Sequence, residues 1–437
     1  MNLLSIKKIY YSLPQFVKWP LQFLPFYIFA GKDYRETKRL LSKYNLLNSE
    51  EKLDFSRNFA LNKINDYILN VPFYRTWAQQ NTIKEITSIE QLKEFPIIDK
   101  KIVMDNPLMF KHDKARGLYE ISTAGTSGKP LKFFHTPSCY GKEWAFLDNL
   151  VSPYGVKIDS KNYSLRGVDV INADDKISHN YLYNELIISP SAISPTKISN
   201  IIQQLEKFNA QWIHCYPSTL YLLAKALKEK GLRLPMLKNA LLASEQLFSF
   251  QKDLIHSVFD INLISFYGMS ERVVFAEFKD DIFLPHPLYG LSELIDGEHV
   301  ASGFINDGTC LLRYRTGDKL KGVVNRSGFL DSFTEFDGRW KGSHLVGESG
   351  EMINMTVLNT HCKLLDSIQL FQFRQSKKGE CLLLLKPNNE FDPNDELLIK
   401  NFFQTKLGNG FNLQTKLVSE IERSSRDKHQ FIISELN

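Results

Sequence analysis

"INLISFYGMSER", residues 261–272, is a short apolar run that stops at a glycine and is followed by serine, glutamate and arginine. Two earlier runs have the same form, "QWIHCY" at 211–216 and "NALLAS" at 239–244. The segments between them read as helices. Ser218 can cap one that runs through Leu227 and ends at Gly231, and a second covers Phe248 to Phe259. Upstream, Ile198, Ile201, Ile202, Leu205 and Phe208 recur at helical spacing. Short buried runs that alternate with helices predict an α/β fold, with a largely parallel sheet and covering helices. Ligands of such sheets gather beyond the carboxyl ends of the strands. Tyr267, Ser270 and Glu271 therefore become candidate site residues, and Glu271 could hold Mg²⁺ against phosphate oxygens. The plainer reading of Ser270 and Glu271 is a helix cap.

Outward from this centre the pattern changes on both sides. Residues 1–110 read as a mostly helical lead-in. In "NSEEKLDFSRNFALNKINDYIL", Asn48 and Glu51 form a capping signature ahead of Leu53, Ile64 and Ile68. After Phe336 the units are smaller: a helix near Val357 to Leu365, strands "SIQLFQF" and "CLLLLKP", a helix opened by "DPNDELLIKNFF", and a strand "FNLQTKLV". The chain is thus expected to divide into a large domain, 1–337, and a small mobile α+β domain, 338–437, joined at "EFDGRW". A length of 437 residues, beyond what one core usually serves, agrees with two domains.

Composition excludes several classes. With 43% hydrophobic and 24% charged residues the chain is a folded protein rather than a disordered one. The net charge of +5 is spread without a basic stripe, which argues against nucleic acid. Cys139, Cys215, Cys310, Cys362 and Cys381 have no C-x-x-C spacing, so a reducing, cytoplasmic setting is expected. The aromatic stretch "YYSLPQFVKWPLQFLPFYIFAG" at 10–31 is broken by Pro14, Pro20 and Pro25 and holds Lys18, which excludes a spanning helix. Two readings stay open for it: packing on the body of the protein, or peripheral contact with the inner face of a membrane.

The chemistry-bearing motifs each have two readings. "ISTAGTSGKPLKF", 121–133, lacks the Walker A spacing. Gly125 and Gly128 nevertheless allow close backbone approach, while Thr123, Thr126, Ser127 and Lys129 offer hydroxyls and a positive charge that suit a triphosphate. A glycine-rich turn explains the same residues. "LLRYRTGD" puts Asp318 where its two oxygens could take both ribose hydroxyls, or where it simply pairs with Arg313 or Arg315. Arg339 stands at the linker, and Lys428 lies in a basic run near the C-terminus that could equally be solvated surface.

Taken in order, these motifs resemble the adenylate-forming superfamily, which includes acyl-CoA synthetases and amino-acid adenylation domains. "STAGTSGKP" resembles its phosphate loop, "YGMSE" its tyrosine-to-glutamate motif, "RYRTGD" its ribose motif, "GR" its hinge and "RDK" its C-terminal lysine motif. "VPFYRTW", "FPIIDKK", "HCYPSTLYLLA" and "PHPLYGLSELID" are similar to the phenylacetate-CoA ligase-like branch, especially its CapK-type members associated with capsular and other surface polysaccharides. The similarity runs from about residue 35 to the end.

The resemblance implies that Thr123, Thr126, Ser127 and Lys129 contact phosphate, Glu271 binds Mg²⁺ and Asp318 binds ribose. Ala243, Ser244 and Glu245 match the adenine-side loop. Tyr216, Pro217 and Ser218 fall where the acyl pocket is lined, and Tyr267 and Gly268 where it closes near the reacting carboxylate. Lys428 would reach the acyl-phosphate oxygen. His286 is either a pocket residue or a hydrogen-bonded structural histidine. The sequence departs from the family at the hinge, where Trp340, Lys341 and Gly342 replace its usual acid, and at Asp427, where a glycine commonly precedes the lysine. The implied cofactors are ATP and Mg²⁺, with CoA, a phosphopantetheine carrier protein or a sugar as acceptor. Three readings follow: activation of a carboxylic or amino acid for surface-polysaccharide modification, aryl- or acyl-CoA formation, and a catalytically weakened nucleotide-binding scaffold.

Overall fold

The computed structural model describes residues 9–10, 12–24, 26–122, 132–166, 177–189, 193, 198–243, 247, 249–337, 344–354, 358, 363–365, 367–388, 391–421 and 431–436. The alternation expected between 198 and 268 is present. Strands β1 (Tyr119–Ser122) and β2 (Lys132–His135) form a separate antiparallel pair. The main sheet contains β3 (Asn162–Leu165), β4 (Ile177–Asn180), β5 (Glu185–Ile188), β6 (Trp212–Cys215), β7 (Asn239–Leu242) and β8 (Asn262–Gly268). Here β5, β3, β6, β7 and β8 run parallel, with β4 antiparallel at the edge. The helices Ile198–Phe208, Pro217–Lys230 and Ser249–Val258 lie between these strands in sequence. Ile198, Ile201, Ile202 and Leu205 are buried with Leu220, Leu223, Leu227, Ile213 and Ala240 in one apolar cluster. Gly231 closes the second helix in the left-handed region, φ 63°, as expected of a terminal glycine. Its start differs from the expectation. Pro217 is the first helical residue and Tyr216 stands before it, with the Thr219 hydroxyl accepting from the Tyr216 N–H at 3.1 Å.

Beyond β8 the same sheet continues as antiparallel strands: β9 (Phe275–Lys279), β10 (Ile282–Pro285), β11 (Gly290–Ile295), β12 (Glu298–Gly303), β13 (Tyr314–Val324) and β14 (Leu330–Asp337). The twelve-stranded order is β11-β12-β13-β14-β10-β9-β8-β7-β6-β3-β5-β4. This antiparallel half carries "RYRTGD" and faces the helical lead-in. The Ser49–Asn70 helix is capped reciprocally by Asn48 and Glu51, each side chain accepting from the other's N–H at 3.0 Å. It buries Ala60, Ile64, Tyr67 and Ile68, whereas Leu53 is exposed. Tyr74, on the helix Pro72–Gln80, donates to the Cys310 carbonyl at 3.1 Å and accepts from the Leu312 N–H at 2.7 Å. "VPFYRTW" thus anchors the start of the ribose-like motif.

A second apolar cluster belongs to residues after 344. Strands β15 (His344–Val346) and β16 (Met352–Asn354) pair with each other, while β17 (Ile368–Gln375), β18 (Glu380–Pro387), β19 (Asn412–Leu417) and β20 (Ile432–Ser434) form a four-stranded sheet in the order β19-β18-β17-β20. The Pro393–Leu407 helix buries Ile399, Phe403 and Leu407 against Phe373, Leu383 and Leu413. Of the expected helix near 357–365, the described residues are Leu358, which is helical and buried, and a 3₁₀ turn at Lys363–Leu365. Cys139, Cys215, Cys310 and Cys381 are buried free thiols.

Buried histidines give this fold an acid sensitivity. Burial pushes His135 and His299 down to about 3, and His214 in the same direction. An unfolded histidine titrates near 6.5, so between about pH 6.5 and pH 3 the unfolded chain binds protons that the native chain does not. Stability therefore rises with pH across that window. Each such histidine contributes a slope of about 1.4 kcal/mol per pH unit. The melting temperature is expected to be flat above pH 7 and to fall steeply from pH 6 to pH 4. His299→Gln should flatten that decline in a differential scanning series.

Candidate active site

Tyr267 sits at the carboxyl end of β8, and Asp318 lies in β13. The Tyr267 hydroxyl donates to Asp318 Oδ2 at 2.8 Å, and both residues are buried. The Tyr267 ring stands edge-on to Phe333 and faces His299, whose Nδ1 is 3.5 Å from the phenolic oxygen. Ser292 holds the other ring nitrogen of His299 at 3.0 Å. A second link joins the same two segments, because the Tyr314 hydroxyl donates to Glu271 Oε1 at 3.4 Å. The "YGMSE" and "RYRTGD" motifs are thus tied together by two tyrosine–carboxylate pairs, and Glu271 is 3% exposed.

Neighbouring groups set the backbone around these carboxylates. Gly317 has φ 81°, a conformation that glycine adopts without strain, and it precedes Asp318. The Asp318 N–H donates to Thr316 Oγ1 at 3.1 Å, and that hydroxyl donates to the His299 carbonyl at 2.9 Å. Ile98 of "FPIIDKK" runs alongside Tyr314 and exchanges backbone bonds with Arg313 and Arg315 at 3.0 and 2.8 Å. Arg313 is buried. Its Nε and Nη2 donate to the two oxygens of Glu293, each at 3.0 Å, and its Nη1 to the carbonyls of Lys93 and Phe95. Arg315 pairs with Glu298 at 2.6 Å. The ion-pair reading thus holds for both arginines, while Asp318 is engaged by Tyr267.

The loop carrying Glu271 is held from its other side. His135 Nε2 lies 2.9 Å from the Ser270 carbonyl. Arg272 pairs with Glu143 of the helix Pro137–Val151, and Tyr289 donates to the same carboxylate at 2.6 Å. "PHPLYGLSELID" therefore supplies Tyr289 as a fixing residue. A Cβ at Gly303 would lie 2.5 Å from the Arg272 carbonyl oxygen and 2.8 Å from Val273 Cα, both backbone atoms. Gly303→Ala is expected to cost about 1–3 kcal/mol of stability by overpacking and to displace the Glu271 loop, measurable as a lowered melting temperature.

Not every expected residue reaches this group. Gly268 and Ser270 are exposed at its rim. Ala243 is buried at the end of β7, and its N–H donates to the Cys215 carbonyl at 3.2 Å. Pro217 opens its helix, and Tyr216 packs against the apolar cluster of the C-terminal sheet. His286 is a packed histidine. It lies edge-on to Phe146 and beside Tyr44, its Nδ1 accepts from the Leu288 N–H at 3.3 Å, and burial pushes it down to about 4. The structural alternative describes its surroundings; no described contact joins it to Tyr267, Glu271 or Asp318. Thr123, Gly125, Thr126, Ser127, Gly128, Lys129, Ser244, Glu245, Arg339 and Lys428 lie outside the described residues, as does the side chain of Ser218. Sequence reasoning missed His299, Tyr314, Thr316, Glu143 and Tyr289; Tyr314 reaches Glu271 from 43 positions away, His299 reaches Tyr267 from 32, and Tyr289 reaches Glu143 from 146.

Residues 345–435 match the family described as the CapK C-terminal domain. Over 92% of its length the chain is 23% identical to Protein CapK of Staphylococcus aureus, of which it also covers 92%. A crystal structure of 2-hydroxyisobutyryl-CoA ligase with 2-HIB-AMP and CoA, in the thioesterification state, superposes with a TM-score of 0.50 at 15% identity, covering 89% of this chain and 90% of the other. The chain shares its fold with that ligase, and its C-terminal residues match the CapK C-terminal domain. In that fold the two tyrosine–carboxylate pairs join the carboxyl end of β8 and the loop after it to β13 of the antiparallel half.

Proposed function

We propose that the protein is an ATP-dependent ligase that activates a carboxylic or amino acid as its adenylate. The observation that carries this reading is the joining of Glu271 and Asp318, 47 positions apart, through Tyr314 and Tyr267. It sets two buried carboxylates of the required kinds beside the end of a parallel strand. A substrate carboxylate oxygen attacks the α-phosphorus of ATP, the bond to the β-phosphate breaks, and pyrophosphate leaves. An acceptor then attacks the acyl carbon and expels AMP, losing its own proton to solvent. The protein supplies position and charge rather than a nucleophile. Asp318 takes the ribose hydroxyls; Tyr267 fixes the orientation of that carboxylate. Lys428, carried on the C-terminal segment 338–437 acting as a mobile lid, meets the negative charge on the phosphate. Glu271 offers a hard oxygen ligand, which fits Mg²⁺ shared with phosphate; when bound, the ion supplies positive charge against those oxygens.

For the acceptor, the CapK-type resemblance favours a group destined for cell-surface polysaccharide, and the CoA held by the fold relative keeps a thioester product as the second reading. The decisive experiment is ATP–pyrophosphate exchange by purified protein across a panel of carboxylic and amino acids. One acid that drives exchange establishes the first half-reaction. Release of AMP with CoA alone, against release that requires a sugar or carrier protein, then separates the acceptors. Nucleotide binding without exchange for any acid would instead support the scaffold.

A further inference from the structure

The aromatic segment near the N-terminus has two faces. Tyr10, Phe26, Phe29, Ala30 and Tyr34 point inward and join an apolar cluster with Phe146, Leu150 and Val151. On the other face Phe16, Trp19, Phe23, Tyr27 and Ile28 are exposed, Phe16 by 80% and Phe23 by 68%. Large apolar side chains gathered in this way on a chain surface mark a contact with something apolar. No helix among the described residues is long and apolar enough to cross a membrane.

The surroundings of the patch specify the partner. Next to Tyr27 opens a surface cavity of about 810 Å³ lined by Arg35, Lys38, Arg39 and Lys157, together with Tyr34, Asp148 and Asp159. Arg35 donates to the Tyr27 carbonyl at 2.9 Å, which fixes this basic rim to the apolar face. Lys38 is paired with Asp148. The exposed Asp159 reduces the positive field there without cancelling it. Between positions 9 and 45 the chain has six basic residues and two acidic ones.

We propose that this face docks on an anionic lipid bilayer, with Phe16, Trp19, Phe23 and Tyr27 entering the interface and headgroup phosphates meeting Arg35, Arg39 and Lys157. Tryptophan and tyrosine suit the boundary between headgroups and acyl chains, and flanking basic residues add attraction to anionic lipid. A second copy of the chain is a poorer fit. A two-fold contact through the patch would set its basic rim against or near another basic rim, a like-charge juxtaposition that costs affinity.

The test is vesicle flotation of the full-length protein, with phosphatidylcholine alone against a two-to-one mixture of phosphatidylcholine and phosphatidylglycerol. Binding is expected to the mixed vesicles and to weaken with salt. Trp19→Ser combined with Phe23→Ser, and separately Arg35→Glu combined with Arg39→Glu, should each reduce partitioning by at least about tenfold. Melting temperature and acid-dependent pyrophosphate exchange in solution should not change. Absence of vesicle binding by the parent protein would overturn the proposal, as would equal binding to neutral vesicles or binding that both double variants retain. A dimer seen by light scattering, lost in the Trp19/Phe23 variant while vesicle binding is absent, would assign the face to a protein partner instead.

Discussion

Asp318→Ala is expected to raise the ATP concentration for half-maximal pyrophosphate exchange by about 10³-fold, while Tyr267→Phe raises it by no more than about tenfold. The difference follows from the roles proposed for them. A buried carboxylate that takes two ribose hydroxyls makes two charge-assisted hydrogen bonds, each worth about 1.5–3 kcal/mol. Losing both removes roughly two to four powers of ten in binding. Tyr267 donates to the Asp318 carboxylate at 2.8 Å, and its ring is also held by Phe333. Removing its hydroxyl loosens Asp318 without removing it. Asp318→Asn keeps the shape and isolates the charge, so it should fall between the two. Initial-rate kinetics with saturating acid, alongside equilibrium nucleotide binding, read the effect directly. If Asp318→Ala bound nucleotide as tightly as the parent, the ribose assignment would be lost, and with it the claim that the two motifs converge on ATP.

How much of this was legible before the structure depended on the range of the interactions. The helices around 198–230 were readable because Ile198, Ile201, Ile202 and Leu205 repeat at the period of the element itself. The Asn48–Glu51 cap was readable because both partners lie three residues apart. The antiparallel half, 275–337, was not. Its strands are joined by local turns, but their neighbours in the sheet are β8 and one another in an order that no periodicity encodes. His299 reaches Tyr267 from 32 positions away, and Glu143 reaches Arg272 from 129. No spacing rule links such pairs. The Ser218 cap failed for a local reason: Pro217 has a fixed φ suited to the first helical position, which moves the cap two residues back to Tyr216. His286 packs beside Tyr44 and Phe146, partners that lie far from it in the chain. The glycine-rich loop and Lys428 lie outside the described residues.

Arg313→Met is expected to destabilise the protein by about 3–5 kcal/mol, the usual cost of leaving one half of a buried ion pair behind. Glu293, 3% exposed, would lose both of its guanidinium donors, and the Lys93 and Phe95 carbonyls would lose theirs. At roughly 2–4 °C per kcal/mol for a domain of this order of size, the melting temperature should fall by about 10 °C. Arg313→Lys should recover little, because one ammonium cannot serve two carboxylate oxygens and two carbonyls in a plane. Pairing Arg313→Met with Glu293→Leu should recover a large part, since the uncompensated charge is then gone. The backbone adds a second consequence. Arg313 adopts φ 50°, a left-handed conformation that side chains other than glycine seldom take. The fork to Glu293 and the backbone bonds with Ile98 hold it there. The next residue, Tyr314, carries the hydroxyl that reaches Glu271, and Asp318 follows four positions on. The Met/Leu double variant should therefore regain stability in urea titration yet keep a raised KM for ATP well below its melting point. Recovery of both together would show that the clamp stabilises the chain without positioning the site.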